Sequence, residues 1–194
     1  MIRLISSKVA GILCKDDEKE TFELYEYAIY ITLSGFFHIL TVIILGICFN
    51  MLVESVVFYS SFISIRKFAG GYHAKTPTRC YAFSVLVSIA VLSLIRVVYA
   101  FYNTNLMLFL LFFELICVLL IFWLSPLQSD NKPLSKRETE LYKKVARIIV
   151  SVVFAFTVVL TYSGIKFLCI PMIYGVYICG LVLMMRKIQM IRKN

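Results

Sequence analysis

The feature that most constrains this chain is the length of its apolar runs. Several stretches of about 20 residues are almost wholly hydrophobic, which matches the thickness of a bilayer's hydrocarbon core. Only helices and closed barrels can span that core, and barrel strands alternate apolar and polar residues over about ten positions. The runs here do not alternate. The sequence therefore predicts an all-α fold, a polytopic integral membrane helical bundle.

The composition agrees with this class. Hydrophobic residues make up 61% of the chain and charged residues only 16%. A soluble domain of this size would carry about a quarter charged residues and could not hide so much apolar surface.

Six transmembrane helices are expected in a single domain, 1–194. The expected spans are residues 27–49, 51–68, 81–101, 105–125, 145–163 and 167–185. The second is marginal, because its uninterrupted apolar stretch follows Glu54, contains serines and ends before Arg66. It reaches full length only if the long side chains at its end extend to the interface.

Lys and Arg are concentrated in alternate connections. The loops 66–80 and 126–144 and both termini are basic, whereas the connections near residues 50 and 103 contain no Lys or Arg. Positive loops stay cytoplasmic, so both termini and both long loops are predicted to be cytoplasmic. This distribution also explains the net charge of +9 without nucleic acid as a partner.

The N-terminal segment, 1–26, is charged throughout and has no signal-peptide pattern. Residues 1–20 predict an amphipathic helix with Ile5, Val9 and Ile12 on one face. Such a basic helix lies in the plane of the lipid headgroups. The alternative is that it packs on the protein's own cytoplasmic loops.

The six cysteines show no C-x-x-C spacing, and several lie inside apolar runs, where cysteine is usually a small buried hydrophobe. We expect neither a disulfide framework nor a metal site, and no cofactor. A zinc site is further disfavoured because the two histidines, His38 and His73, lie at different depths.

The loop 66–80 carries the candidate chemistry. Gly70 and Gly71 give backbone freedom for a sharp turn or a close approach where the second span ends. Thr76 and Pro77 are typical of a helix start, as the N-cap and the first helical residue.

This helix start places Cys80 in the first turn of the third span. The helix N-terminus and the nearby cations Lys75 and Arg79 favour the thiolate, which is the nucleophilic form. His73 lies seven residues upstream, within reach of the thiol if the loop folds back. A cysteine and a histidine in contact form a nucleophile–base unit for acyl transfer. Alone, such a pair in a basic loop is more often two unrelated surface residues.

The pattern R-K-x-A-G-G-Y-H-A-x-T-x-x-x-C resembles the accessory gene regulator B (AgrB) family, quorum-sensing membrane endopeptidases of Gram-positive bacteria. The resemblance extends to chain size, span number and both basic loops. It implies that His73 and Cys80 are the catalytic pair and that Arg66 and Gly71 are needed for activity. It also suggests a homodimer in the cell membrane, which no sequence feature shows.

The family's substrate is a short AgrD-type precursor peptide that lies on the membrane. The resemblance implies removal of its acidic C-terminal tail and closure of a thiolactone or lactone ring. The remaining motif positions would support the site or bind substrate: Arg66, Gly70, Gly71, Lys75 and Arg79. The third residue, which would orient His73, is not identified. Its candidates are Ser125, Gln128 and Asp130.

Four polar residues lie within or at the ends of the apolar segments: His38, Glu54, Arg96 and Glu114. Charges there are costly, so they usually face the bundle interior and pair. We expect an ion pair between Glu54 and Arg96 and a hydrogen bond between helices for His38.

Two other functions remain open. A small transporter or exporter would use Arg96 and Glu114 to carry its substrate, and it would tolerate Cys80→Ala. A purely structural membrane partner would tolerate all of these changes.

Overall fold

The computed structural model of the chain is a set of seven helices, and it describes residues 2–13, 19–71, 77–127 and 135–193. The helices are α1 (Ile2–Leu13), α2 (Lys19–Cys48), α3 (Leu52–Ala69), α4 (Pro77–Ala100), α5 (Thr104–Leu124), α6 (Lys136–Tyr162) and α7 (Lys166–Lys193). In these ranges no strand occurs, and the one extended pairing joins Gly70 to Leu127. The predicted all-α class is confirmed.

Among the described residues, five helical segments are long and apolar enough to cross a membrane. They are Tyr25–Cys48, Arg79–Ala100, Thr104–Leu124, Lys136–Tyr162 and Lys166–Arg192. The chain is therefore a multi-pass membrane protein. α3 is not among the five; it has 18 residues, with Glu54 in its first turn and Arg66 and Lys67 in its last. This helix is the marginal second span, and its crossing of the bilayer stays a prediction.

The helices extend beyond several predicted spans. α6 begins at Lys136, with Ser135 and Glu138 forming a reciprocal capping box, so the end of the second basic loop is helical. α7 continues through the basic C-terminal residues as far as Lys193.

The chain forms two compact units, Met1–Ile44 and Leu45–Asn194. The first contains α1 and most of α2. The helix predicted for the N-terminal segment is present over Ile2–Leu13, and its position in the headgroup plane stays a prediction. The second unit contains α3 to α7 and carries the site residues considered below.

In the second unit α7 is the central helix. Of its apolar stretch 61% is buried, against 28% or less for the other four candidate spans. Two apolar clusters pack along it. One includes Phe58, Ile95, Leu110 and Ile173. The other is made by α3, α5, α6 and α7, and the residues assigned to it are Ile65, Ala69, Val118, Ile121, Ala146, Val150, Val176, Cys179 and Leu183.

α3 and α7 approach each other closely at Ser61 and Gly175. A Cβ atom on Gly175 would overlap Ser61 Oγ and would lie 3.0 Å from Ser61 Cβ and 3.1 Å from Phe62 N. Small residues allow two helices to approach closely. Inside lipid this approach matters, because helices associate through van der Waals packing and not through a hydrophobic driving force.

The expected ion pair between Glu54 and Arg96 is wrong. Arg96 Nη2 donates a hydrogen bond to Phe49 O at 3.1 Å, and Tyr99 Oη donates to Glu54 Oε1 at 3.3 Å. Phe49 follows the last residue of α2, where backbone carbonyls have no partner within the helix. The Arg96 guanidinium therefore caps the end of α2. The Glu54 carboxylate accepts its hydrogen bond from the Tyr99 phenol instead.

We predict that Gly175→Ala will lower the free energy of unfolding by about 1–3 kcal/mol, because the added methyl group forces α3 away from α7. The measurement is thermal unfolding in detergent. Gly35→Ala is the matched control, since nothing lies within 4 Å of a Cβ at that position. Equal stability of the two variants would contradict the close crossing.

Candidate active site

The end of α3 is a glycine turn. Gly70 N donates to Arg66 O at 3.0 Å and closes the helix. Gly70 then adopts φ +78° and Gly71 φ +134°. Both values lie in the region that residues with a Cβ atom avoid, so the sequence needs glycine at each position for conformational reasons alone.

Neighbouring segments also enclose this turn. A Cβ atom on Gly70 would overlap Leu127 O, and one on Gly71 would lie 2.8 Å from Val182 Cγ1. Leu127 N donates to Ala69 O at 3.0 Å. The turn is thus clamped between the segment that follows α5 and the side of α7. We call this arrangement of Ala69, Gly70, Gly71, Leu127 and Val182 the glycine clamp.

The segment that carries Leu127 is itself fixed. Arg147 of α6 donates from Nε to Phe122 O at 3.2 Å, and its guanidinium lies 4.3 Å from the centre of the Phe122 ring. This contact satisfies a carbonyl at the end of α5 and adds a cation–π interaction. Ser125 is buried, and its Oγ has no hydrogen-bond partner among the described residues.

Charged and aromatic side chains surround the last turn of α3. Arg66 is half-buried, with its guanidinium 5.4 Å from the Phe62 ring centre. Phe68 packs edge to face on Tyr142 of α6, with ring centres 5.7 Å apart. These contacts connect α3 to the helical end of the second basic loop.

Sequence reasoning missed one residue near the clamp. Arg186 belongs to the basic C-terminal stretch of the sequence, yet it lies on α7 one turn after Val182 and is only 7% exposed. The available signal was spacing: Val176, Cys179 and Leu183 are buried at helical intervals that continue to Arg186.

Cys80 lies in the first turn of α4, which begins at Pro77, as predicted. It is half-buried, and its carbonyl oxygen accepts a hydrogen bond from Ser84 Oγ at 3.0 Å. No described side chain from Arg79 to Ala90 is buried, and the first buried residue of α4 is Val91. Cys80 therefore lies in a part of α4 that is not buried in the core.

Several predicted site residues lie outside the described ranges. These are His73, Lys75, Thr76, Gln128 and Asp130. The structure brings Arg66, Gly70 and Gly71 together at the end of α3, and it places Arg79 and Cys80 together at the start of α4. The contact between imidazole and thiol stays a prediction.

No metal-type cluster occurs in the described ranges: no group of three or more His, Cys, Asp or Glu side chains is placed to hold an ion. Cys80 is a free thiol there, as are Cys48, Cys117, Cys169 and Cys179.

Fold and site together define a multi-pass helical membrane protein with a half-buried cysteine at a helix start, following a clamped glycine turn. The sequence model of Accessory gene regulator B matches residues 6–191. The chain therefore belongs to the AgrB family, which takes part in accessory gene regulator quorum sensing and peptide processing.

Individual relatives are distant in sequence. The chain is 26% identical over 161 residues to the Putative AgrB-like protein 2 of Clostridium perfringens, a match that covers 82% of this chain and 74% of that protein. It is 27% identical over 137 residues to Protein FsrB of Enterococcus faecalis, covering 69% of this chain and 54% of that protein. No solved structure matches the chain.

We predict that Gly70→Ala will destabilise the protein more than Gly164→Ala. Both glycines have a positive φ, +78° and +72°, so both variants carry backbone strain of about 1–3 kcal/mol. Only Gly70→Ala adds a clash with Leu127 O, whereas nothing lies within 4 Å of a Cβ at Gly164. The check is thermal unfolding of both variants in one detergent. An equal loss would show that Leu127 does not restrict the turn.

Proposed function

We propose that this protein is a membrane cysteine endopeptidase that removes the C-terminal tail of an AgrD-type precursor peptide and promotes ring closure. The observation that carries the proposal is the position of Cys80, in the first turn of α4 and outside the packed core. A nucleophile has to meet a peptide, and Cys80 is only half-buried, at the end of an apolar helix.

The first chemical step is acyl transfer to the enzyme. Cys80 Sγ, as thiolate, attacks the scissile carbonyl carbon and forms a C–S bond. The C–N bond then breaks, and His73 donates the proton that the departing amine needs. Cys80 lies in the first turn of α4, next to Arg79.

The second step releases the acyl group. A Cys or Ser side chain of the precursor gives its proton to His73 and attacks the thioester carbonyl, and Cys80 leaves as thiolate. The product is a thiolactone or lactone ring. Exchange of one thioester for another is nearly neutral in bond energy, so ring closure to a thiolactone needs no coupled ATP.

The glycine clamp would fix one end of the loop that carries His73. That loop leaves the clamp after Gly71 and returns to α4 at Pro77, three residues before Cys80. A fixed start limits where the imidazole can go, and a precise position matters because misplacement by about 1 Å can cost 100-fold in rate.

Basic residues near the clamp provide a place for an acidic tail. α6 packs against Phe68 through Tyr142. The first turns of the same helix expose four cations: Lys136, Arg137, Lys143 and Lys144. Surface charges of this kind raise encounter rates in a salt-dependent way. In this proposal these residues and both termini face the cytoplasm of a Gram-positive cell, and a homodimer remains part of the expectation.

The transporter alternative has less support. Arg96 is engaged by the end of α2, and Glu114 is 0% exposed inside the bundle. Glu114 is thus out of reach of a passing peptide, and Arg96 already donates a hydrogen bond to a backbone carbonyl.

The test is co-expression with a precursor peptide, followed by mass measurement of the products. We predict that Cys80→Ala and His73→Ala will each abolish tail removal, because either change removes one half of the nucleophile–base unit. Cys48→Ala is the matched control, an exposed cysteine at the end of α2 that should retain wild-type processing. Tail removal by Cys80→Ala at the wild-type rate would refute the assignment.

A further inference from the structure

Glu114 is the one carboxylate residue that is fully buried in the described part of the chain, at 0% exposure. It lies in the middle of α5 (Thr104–Leu124). One turn away on either side, Leu110 and Val118 belong to the two apolar clusters. The carboxyl group therefore lies between these clusters, at the centre of the second unit, and the proposed peptide chemistry does not use it.

The carboxyl oxygens have no hydrogen-bond partner among the described residues. Thr157 of α6 is the adjacent polar side chain, but its hydroxyl donates to Val153 O at 2.9 Å. Tyr177 of α7 is similarly engaged, because its hydroxyl donates to Leu110 O.

The titratable groups that face Glu114 are uncharged in their usual states. They are Cys117 on its own helix and Cys169 and Tyr177 on α7; α6 contributes the hydroxyl of Thr157. None of these groups is a cation. An ionised carboxylate in this place would lack both water and a counter-charge, which costs many kcal/mol. A metal ion is a poor match, because Ca²⁺ and Mg²⁺ need about six oxygen ligands.

We propose that Glu114 is a buried proton-binding site, at which a bound proton holds α5 against α6 and α7. The neutral acid fits an apolar interior, whereas the ionised form would draw water between the three helices. α5 also leads directly to Ser125 and Leu127, so this helix connects the proton site to the glycine clamp.

The experiment measures unfolding of the full chain in detergent as a function of pH. The native state binds a proton at Glu114 that the unfolded chain releases at neutral pH. Stability should therefore fall as pH rises, with the unfolding equilibrium constant increasing by up to about tenfold per pH unit. Glu114→Gln copies the neutral acid in shape and should remove this dependence.

Glu54→Gln is the matched control. Glu54 also lies in an apolar helix, but its carboxylate is only half-buried and accepts a hydrogen bond from Tyr99. This variant should keep the wild-type slope. A slope that Glu114→Gln leaves intact, or a wild-type protein with no slope, would overturn the proposal.

Infrared spectroscopy covers the case in which Glu114→Gln fails to fold. The wild-type protein at neutral pH should show the carbonyl stretch of an un-ionised carboxylic acid, and absence of that band would overturn the proposal. Stabilisation by added Na⁺ or K⁺ at fixed pH, with no such band, would assign the site to a metal cation instead. Neither readout depends on peptide cleavage, so the proposed protease function can fail without affecting this result.

Discussion

The hydrogen bond from Leu127 N to Ala69 O determines how the end of α3 is held. A helix that ends within an apolar bundle leaves carbonyl groups without partners, and inside a membrane such groups are costly. Here the chain leaving α5 supplies the missing donor. The same contact brings Leu127 O against Gly70, so only a residue without a side chain fits there.

Other contacts support this hydrogen bond from three helices. Arg147 of α6 holds the end of α5 through Phe122 O. On the opposite side of the turn, α7 brings Val182 against Gly71. The close crossing of α3 and α7 at Gly175 keeps α7 in place for that contact. α4 contributes little to this part of the core, so Cys80 lies outside it while the turn at Gly70 and Gly71 is fixed.

Local chemistry was enough to predict the class of fold and the start of α4. Lipid forces every backbone group to be paired within a segment, so run length alone identifies membrane helices. Pro77 begins α4 and puts Cys80 in its first turn, because proline is suited to the first helical position. The glycine pair was correctly predicted as a turn for a similarly local reason.

Contacts between distant parts of the chain could not be predicted in the same way. Nothing in the sequence near Gly70 indicates that Leu127 will pair with it. The expected partner of Arg96 was a carboxylate, but the end of α2 offered a carbonyl, and backbone acceptors do not appear in a charge pattern. Arg186 was hidden by its basic neighbours, although its helical spacing matched the buried face of α7.

The most direct test of the proposed chemistry is to search for the thioester between Cys80 and the precursor. A precursor whose ring-forming Cys or Ser is replaced by Ala cannot resolve the acyl-enzyme by ring closure, so the intermediate should accumulate. Mass spectrometry after an acid quench should then find the N-terminal precursor fragment on Cys80, and hydroxylamine should release it. A fragment attached to a different residue, or release of the tail by a Cys80→Ala enzyme, would contradict the account.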